Sequence, residues 1–136
     1  MNNTRFATVI HILTLLASEP DKWLSSEWLA GSIGINPVIV RKELILLNNL
    51  GITTSQKGKS GGVRLLRNSE DISLADIYQV VKNSDILGKK NNNTNPRCIV
   101  GKQINDVLGK LFDETDALVY HYLKDKTLKE FTDLFD

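Results

Sequence analysis

The chain has 136 residues, 41% hydrophobic and 24% charged, with 17 lysines and arginines against 16 aspartates and glutamates for a net charge of +1. That length suits one domain around one core, and near-neutrality excludes a bulk polycation, so nucleic-acid binding would have to come from local clustering of charge. A single cysteine, Cys98, excludes an internal disulfide and any zinc site built from several cysteines.

The opening "MNNTRFATVIHILTLLASEP" has an apolar run but neither the basic start nor the small-residue cleavage site of a signal peptide, and no stretch is long enough to span a membrane. It reads as the buried first helix of a cytoplasmic protein, with Phe6, Val9, Ile10, Leu13 and Leu16 at helical spacing and Glu19, Pro20 and Asp21 ending it. In "LSSEWLAGSIGI", Ser25 or Ser26 can cap a short helix with Trp28 and Leu29 on one face and Gly31 and Gly34 as terminators. "NPVIVRKELILLNNLG" then opens with Asn36 as N-cap and Pro37 at the first helical position, and closes on Gly51. Two helices joined by a short glycine-containing turn outline a helix-turn-helix.

After Gly51 the period changes. "ITTSQ" and "VRLLR" flank a glycine-rich turn and predict a hairpin. "ISLAD" starts another helix, with Ser73 and Asp76 at capping-box spacing and Ile77, Val80 and Val81 along it. The asparagine-rich stretch from Asn83 to Pro96 reads as a mobile surface loop. A long helix follows from Cys98 to Lys124. Ile104, Leu108, Leu111, Thr115, Leu118 and Tyr122 form a coiled-coil-like seam, widened by Val107, Phe112 and Val119. A partner chain is the natural cover for that seam, and packing back onto its own domain is the alternative. A last short helix in "LKEFTDLF" is expected across the first one.

The helix from Asn36 to Leu50 does two jobs. Val40, Leu44 and Leu47 should face the core, while Val38, Arg41 and Lys42 fall on the other side with Ile39 at its edge. In a helix-turn-helix the second helix enters the major groove through its N-terminal residues. Arg41 can form a bidentate pair with guanine, Val38 can touch a thymine methyl, and Asn36 sits where a helix N-terminus meets a phosphate. "KGKSGGVRLLR" follows directly, with four cations and three glycines in eleven positions. Gln56, Lys57, Lys59 and Ser60 precede Gly61 and Gly62, so the tip is cationic and able to approach a phosphate backbone closely, with Arg64 and Arg67 along its flank. The plain alternatives are a solvated hairpin tip and solvated surface cations.

At this point the sequence resembles the Rrf-two (Rrf2) family of bacterial winged-helix transcription regulators. The resemblance lies in "RFATVIHILTLLA", "LAGSIGINPVIVRKELILLNNLGI", the wing "KGKSGGVRLLR", "ISLADIYQVV" and "TLKEF", and so covers nearly the whole chain. It implies a mainly α winged helix-turn-helix, a three-helix core plus a two-stranded β-hairpin wing, followed by a long C-terminal dimerisation helix. It implies a homodimer binding double-stranded DNA at imperfect promoter palindromes, paired through Ile104, Leu108, Leu111, Leu118 and Tyr122. Major-groove contacts would fall at Val38, Ile39, Arg41 and Lys42, and minor-groove contacts at Lys57 to Gly61. Ser26, Asn36, Gln56 and Arg64 complete the expected DNA-binding set. Residues 1–82 would form the DNA-binding domain, 83–97 a polar loop, and 98–136 the dimerisation helix and short C-terminal helix.

Three departures from the family pattern matter. Many members carry Glu where Arg41 stands, and many carry an aromatic where Val63 stands. Cluster-binding members have three cysteines where this chain has "NNNTNPRCIVG" with Cys98 alone. One thiol per chain falls short of the four ligands a cluster takes, so no iron–sulfur cluster, cofactor or metal is expected. Cys98 follows Arg97 near a helix start, a setting that favours the thiolate. Its two readings are a redox switch and a small, buried, unreactive residue. His11 and His121 read as structural.

The expected function is therefore a sequence-specific DNA-binding repressor. A corepressor protein or a small-molecule effector stays open as a further partner. The rival is a protein-interaction module, or a corepressor-dependent regulator, with little DNA affinity of its own. An enzyme is not expected, because the chain contains no nucleophile elbow, phosphate-loop signature or His-Glu metal motif.

Overall fold

The computed structural model describes residues 4–82 and 86–135. Among these residues, six α-helices and one hairpin follow in the order α1 (Arg5–Ser18), α2 (Ser26–Ile33), α3 (Pro37–Asn49), β1 (Thr53–Gln56), β2 (Gly62–Leu65), α4 (Leu74–Val81), α5 (Ile99–Lys124) and α6 (Leu128–Thr132), with a 3₁₀ turn at Ser69–Asp71.

The helix boundaries are local chemistry. Ser25 caps α2 by accepting from the Trp28 amide, and Asn36 caps α3 by accepting from the Val38 amide with Pro37 at the first position. Ser73 and Asp76 close a reciprocal capping box on α4. Gly34, at φ 81°, ends α2 in the left-handed region that favours glycine. Gly31 does not end it, because it lies inside the helix. Trp28 and Leu29 do not share a face either: successive helical residues point about 100° apart, so Leu29 is buried while Trp28 is exposed.

The core joins Val9, Ile12, Leu13 and Leu16 of α1 to Leu29, Val40, Leu44, Leu47, Ile72, Ile77 and Leu128. At its edge Glu43 of α3 is buried, its side chain only 7% accessible, and Arg5 of α1 meets it with two 2.8 Å hydrogen bonds. This pairing raises the pKa of Arg5 further and fixes α3 against the start of α1. β1 and β2 pair antiparallel with Gln56 opposite Gly62 and Thr53 opposite Leu65. Leu24 adds a bridge to Val63, so the segment before α2 forms a third rung at the base of the wing.

At the other end, Ser73 pairs with Thr127 through reciprocal main-chain bonds, Leu74 N–H to Lys126 O and Leu128 N–H to Ile72 O, each 2.8 Å. α6 packs on α1, as the sequence leads one to expect. The described part of the stretch between α4 and α5 is exposed almost throughout and touches α5 at three places. Asn105 donates to the carbonyl of Asn91, and Lys90 lies over the ring of Phe112. The main chain of Asn95 sits so close to Gly101 that a Cβ there would come within 2.6 Å of its carbonyl oxygen. Residues 83–85, the start of that predicted loop, lie outside the described residues.

Candidate nucleic-acid interface

α3 presents the two faces its sequence implies. Val40, Leu44 and Leu47 are buried, and Val38, Arg41, Lys42 and Ile45, spaced to share one side of a helix, are exposed together with Ile39. Arg41 is not a solitary cation. Its Nη1 donates to Oε1 of Glu27 on α2 at 3.2 Å, with both side chains open to solvent, 49% and 71%. Ser26, Arg41 and Gln56, all expected at the interface, line one groove of about 340 Å³ between α2, α3 and the wing. Ile45, Asn48 and Ser55 also line it. Sequence reasoning missed Glu27 and Asn48. Glu27 passes as an acidic residue in the first turn of a helix, and only the fold brings it across to Arg41.

The wing is less uniformly cationic than its sequence. Lys57, Lys59 and Ser60 stand exposed at the tip, around Gly58 at φ 103°. Arg64 instead lies over the ring of Trp23, 4.1 Å from its centroid, and Arg67 donates to the carbonyl of Asp71. Arg64 thus holds the wing to the body by cation–π stacking, and Arg67 is engaged in the turn just past β2. The paired glycines also have an internal reason. A Cβ on Gly61 would fall 1.9 Å from the carbonyl oxygen of Gln56, and one on Gly62 would fall 2.6 Å from that of Leu24. At the root, Asn48 accepts from Thr53 and donates to Ser55, tying the end of α3 to β1.

On α5 the expected seam divides. Leu111, Leu118 and Tyr122 are exposed together with Val107, and Ile104, Leu108, Thr115 and Val119 are half-buried. Phe112, predicted to widen the seam, faces inward and is buried. Asp116 points to α4, where Tyr78 and Lys82 both donate to it. Burial works against its charge, but these hydrogen bonds outweigh that effect and hold the carboxyl below its ordinary range.

Cys98 sits at the N-cap of α5 and is exposed, contrary to the expectation of a buried residue. The backbone reason is its place before the first turn of α5, beside other exposed residues. His11 meets Ser32 at 3.1 Å, a contact between α1 and α2.

Among the described residues no helix is long and apolar enough to cross a membrane, and no group of three or more His, Cys, Asp or Glu side chains is placed to hold a metal ion.

Comparison with known proteins agrees with this architecture. The profile of the Rrf2 family, described as an iron-dependent transcriptional regulator, matches residues 2–134. The chain is 38% identical over 130 residues to YwnA of Bacillus subtilis (strain 168), named for an HTH-type transcriptional regulator, with 96% of each chain covered. A crystal structure from Lactobacillus plantarum, named for a transcriptional regulator, superimposes with a TM-score of 0.79 at 25% identity, covering 94% of this chain and 87% of that one. CymR, the global cysteine regulator of B. subtilis, shares the fold at a TM-score of 0.73 and 19% identity, with coverage of 100% and 98%.

Proposed function

Because the chain belongs to the Rrf2 family of transcriptional regulators, and is accordingly a regulator and not an enzyme, we propose that it is a repressor acting as a homodimer on a palindromic promoter site. In this reading Val38, Ile39, Arg41 and Lys42 enter the major groove, Asn36 meets a phosphate, and the wing tip from Gln56 to Gly61 follows the backbone or minor groove. The observation that carries it is the 340 Å³ groove that joins the exposed face of α3, through Arg41 and Ile45, to the wing, through Ser55 and Gln56, with Lys57 and Lys59 exposed next along the chain. Arg64 contributes by holding the wing against Trp23. The exposed Leu111, Leu118 and Tyr122 support α5 as the dimer seam.

The iron dependence in the family's description is not proposed for this chain. Cys98 is the only thiol, and its surroundings, Asn91 to Asn95, Pro96 and Arg97, include no other soft ligand.

Selection from a randomised duplex library, at near-physiological salt with and without reductant, tests the reading. Enrichment of a palindrome is expected. Enrichment only in one redox condition would make exposed Cys98 a sensor, and none in either would favour the corepressor-dependent alternative.

A further inference from the structure

We infer that Glu27 is a specificity-determining residue, acting through Arg41. This rests on the DNA-binding reading above and adds a role for a carboxylate on a face meant for a polyanion. An exposed acid at that place is unfavourable toward phosphates, so its presence calls for a compensating use.

The geometry supplies one. Arg41 is long and flexible, and five N–H donors let it clamp a phosphate as readily as a base. Glu27 engages Nη1, and among the described residues Arg41 makes no other hydrogen bond. The Nε–Nη2 edge therefore stays open as a planar fork, the shape that pairs with O6 and N7 of guanine. Neutralisation by the carboxylate makes the pair a poor phosphate clamp, so Arg41 is retained for sequence readout. Glu27 reaches across from α2, so it sets the direction of the fork from outside the recognition helix. Generic attraction is left to Lys42, Lys57 and Lys59, which are exposed and, among the described residues, make no ion pair.

The test compares wild type, Glu27→Ala, Arg41→Ala and the double variant, in library selection and in titrations of the selected and a scrambled duplex across salt. Glu27 is exposed and its side chain caps nothing, so Glu27→Ala leaves the fold intact, which thermal melts verify. Arg41→Ala is expected to erase the preference at one position in each half-site. Glu27→Ala should weaken that same preference by roughly five-fold or more, and should tighten binding to the scrambled duplex by about five-fold per protomer at 0.15 M salt as Arg41 turns to phosphate. In the double variant the preference should be no weaker than in Arg41→Ala alone. An unchanged preference in Glu27→Ala, or a loss at a position that Arg41→Ala leaves intact, would overturn the inference. A wild-type protein that selects no sequence would instead overturn the DNA-binding reading beneath it.

Discussion

Arg5→Ala should be far more damaging than an exposed arginine at the start of a helix suggests. Its partner Glu43 is buried, 7% accessible, and receives two 2.8 Å charged hydrogen bonds from it. Removing the arginine strands a carboxylate in a dry site. Breaking such a pair costs roughly 3 kcal/mol, at the lower end of the usual range because Arg5 itself is 29% accessible. For a chain of this size that corresponds to a drop in Tm of about 10 °C. Replacing both partners by apolar residues, Arg5→Met with Glu43→Leu, should recover most of the loss, since no charge then remains buried. Urea titration at fixed protein concentration measures all three variants and keeps oligomerisation from masquerading as stability. A cost below about 1 kcal/mol for Arg5→Ala, or a double variant whose losses simply add, would refute the argument.

Other expected outcomes can be checked separately. Lys59→Ala should weaken binding to all duplexes alike and reduce the salt slope by roughly 0.9 for each wing engaged; an unchanged slope in a salt titration would remove the wing tip from the phosphate backbone. Leu111→Asp with Leu118→Asp should give monomers in sedimentation equilibrium, and an intact dimer would place the interface elsewhere. Asp116→Asn should cost about 1 kcal/mol by weakening the bonds from Tyr78 and Lys82. Because the folded carboxyl titrates below the ordinary 3.8, the wild-type advantage is full above that value and fades as pH falls through the folded pKa. Denaturation from pH 7 down to acid should show the two proteins converging.

The elements that could be read from sequence are those whose signals are local. Asn36–Pro37 and the Ser73–Asp76 box place helix starts through bonds spanning three residues or fewer, and the alternation of Val40, Leu44 and Leu47 with Val38 and Arg41 sorts core from surface by helical period alone. What escaped the sequence depends on long-range partners. Arg64 looks like a free cation until Trp23, distant in the chain, appears beneath it. Gly61 and Gly62 suggest an approach to phosphate, while the main chains of Gln56 and Leu24 already require them. Phe112 belongs to the seam by spacing, and packing turns it inward. Glu27 gave no signal, since a first-turn glutamate is commonplace.

The pairing of Ser73 with Thr127 has a consequence for how this architecture can change. The chain leaves the body into α4 and returns through a two-bonded rung beside its point of exit, so α4, α5 and everything between them form one excursion with anchored ends. Lengthening a connection whose ends are already held costs only about 0.6 kcal/mol per doubling where the added residues are flexible, as between the positions that touch α5. The exposed stretch from Ile86 to Arg97 can therefore gain or lose residues while the α1–α3 body and its wing stay as they are. Insertion there leaves the α1–α3 body and the wing untouched, so the two parts of the chain can diverge at different rates.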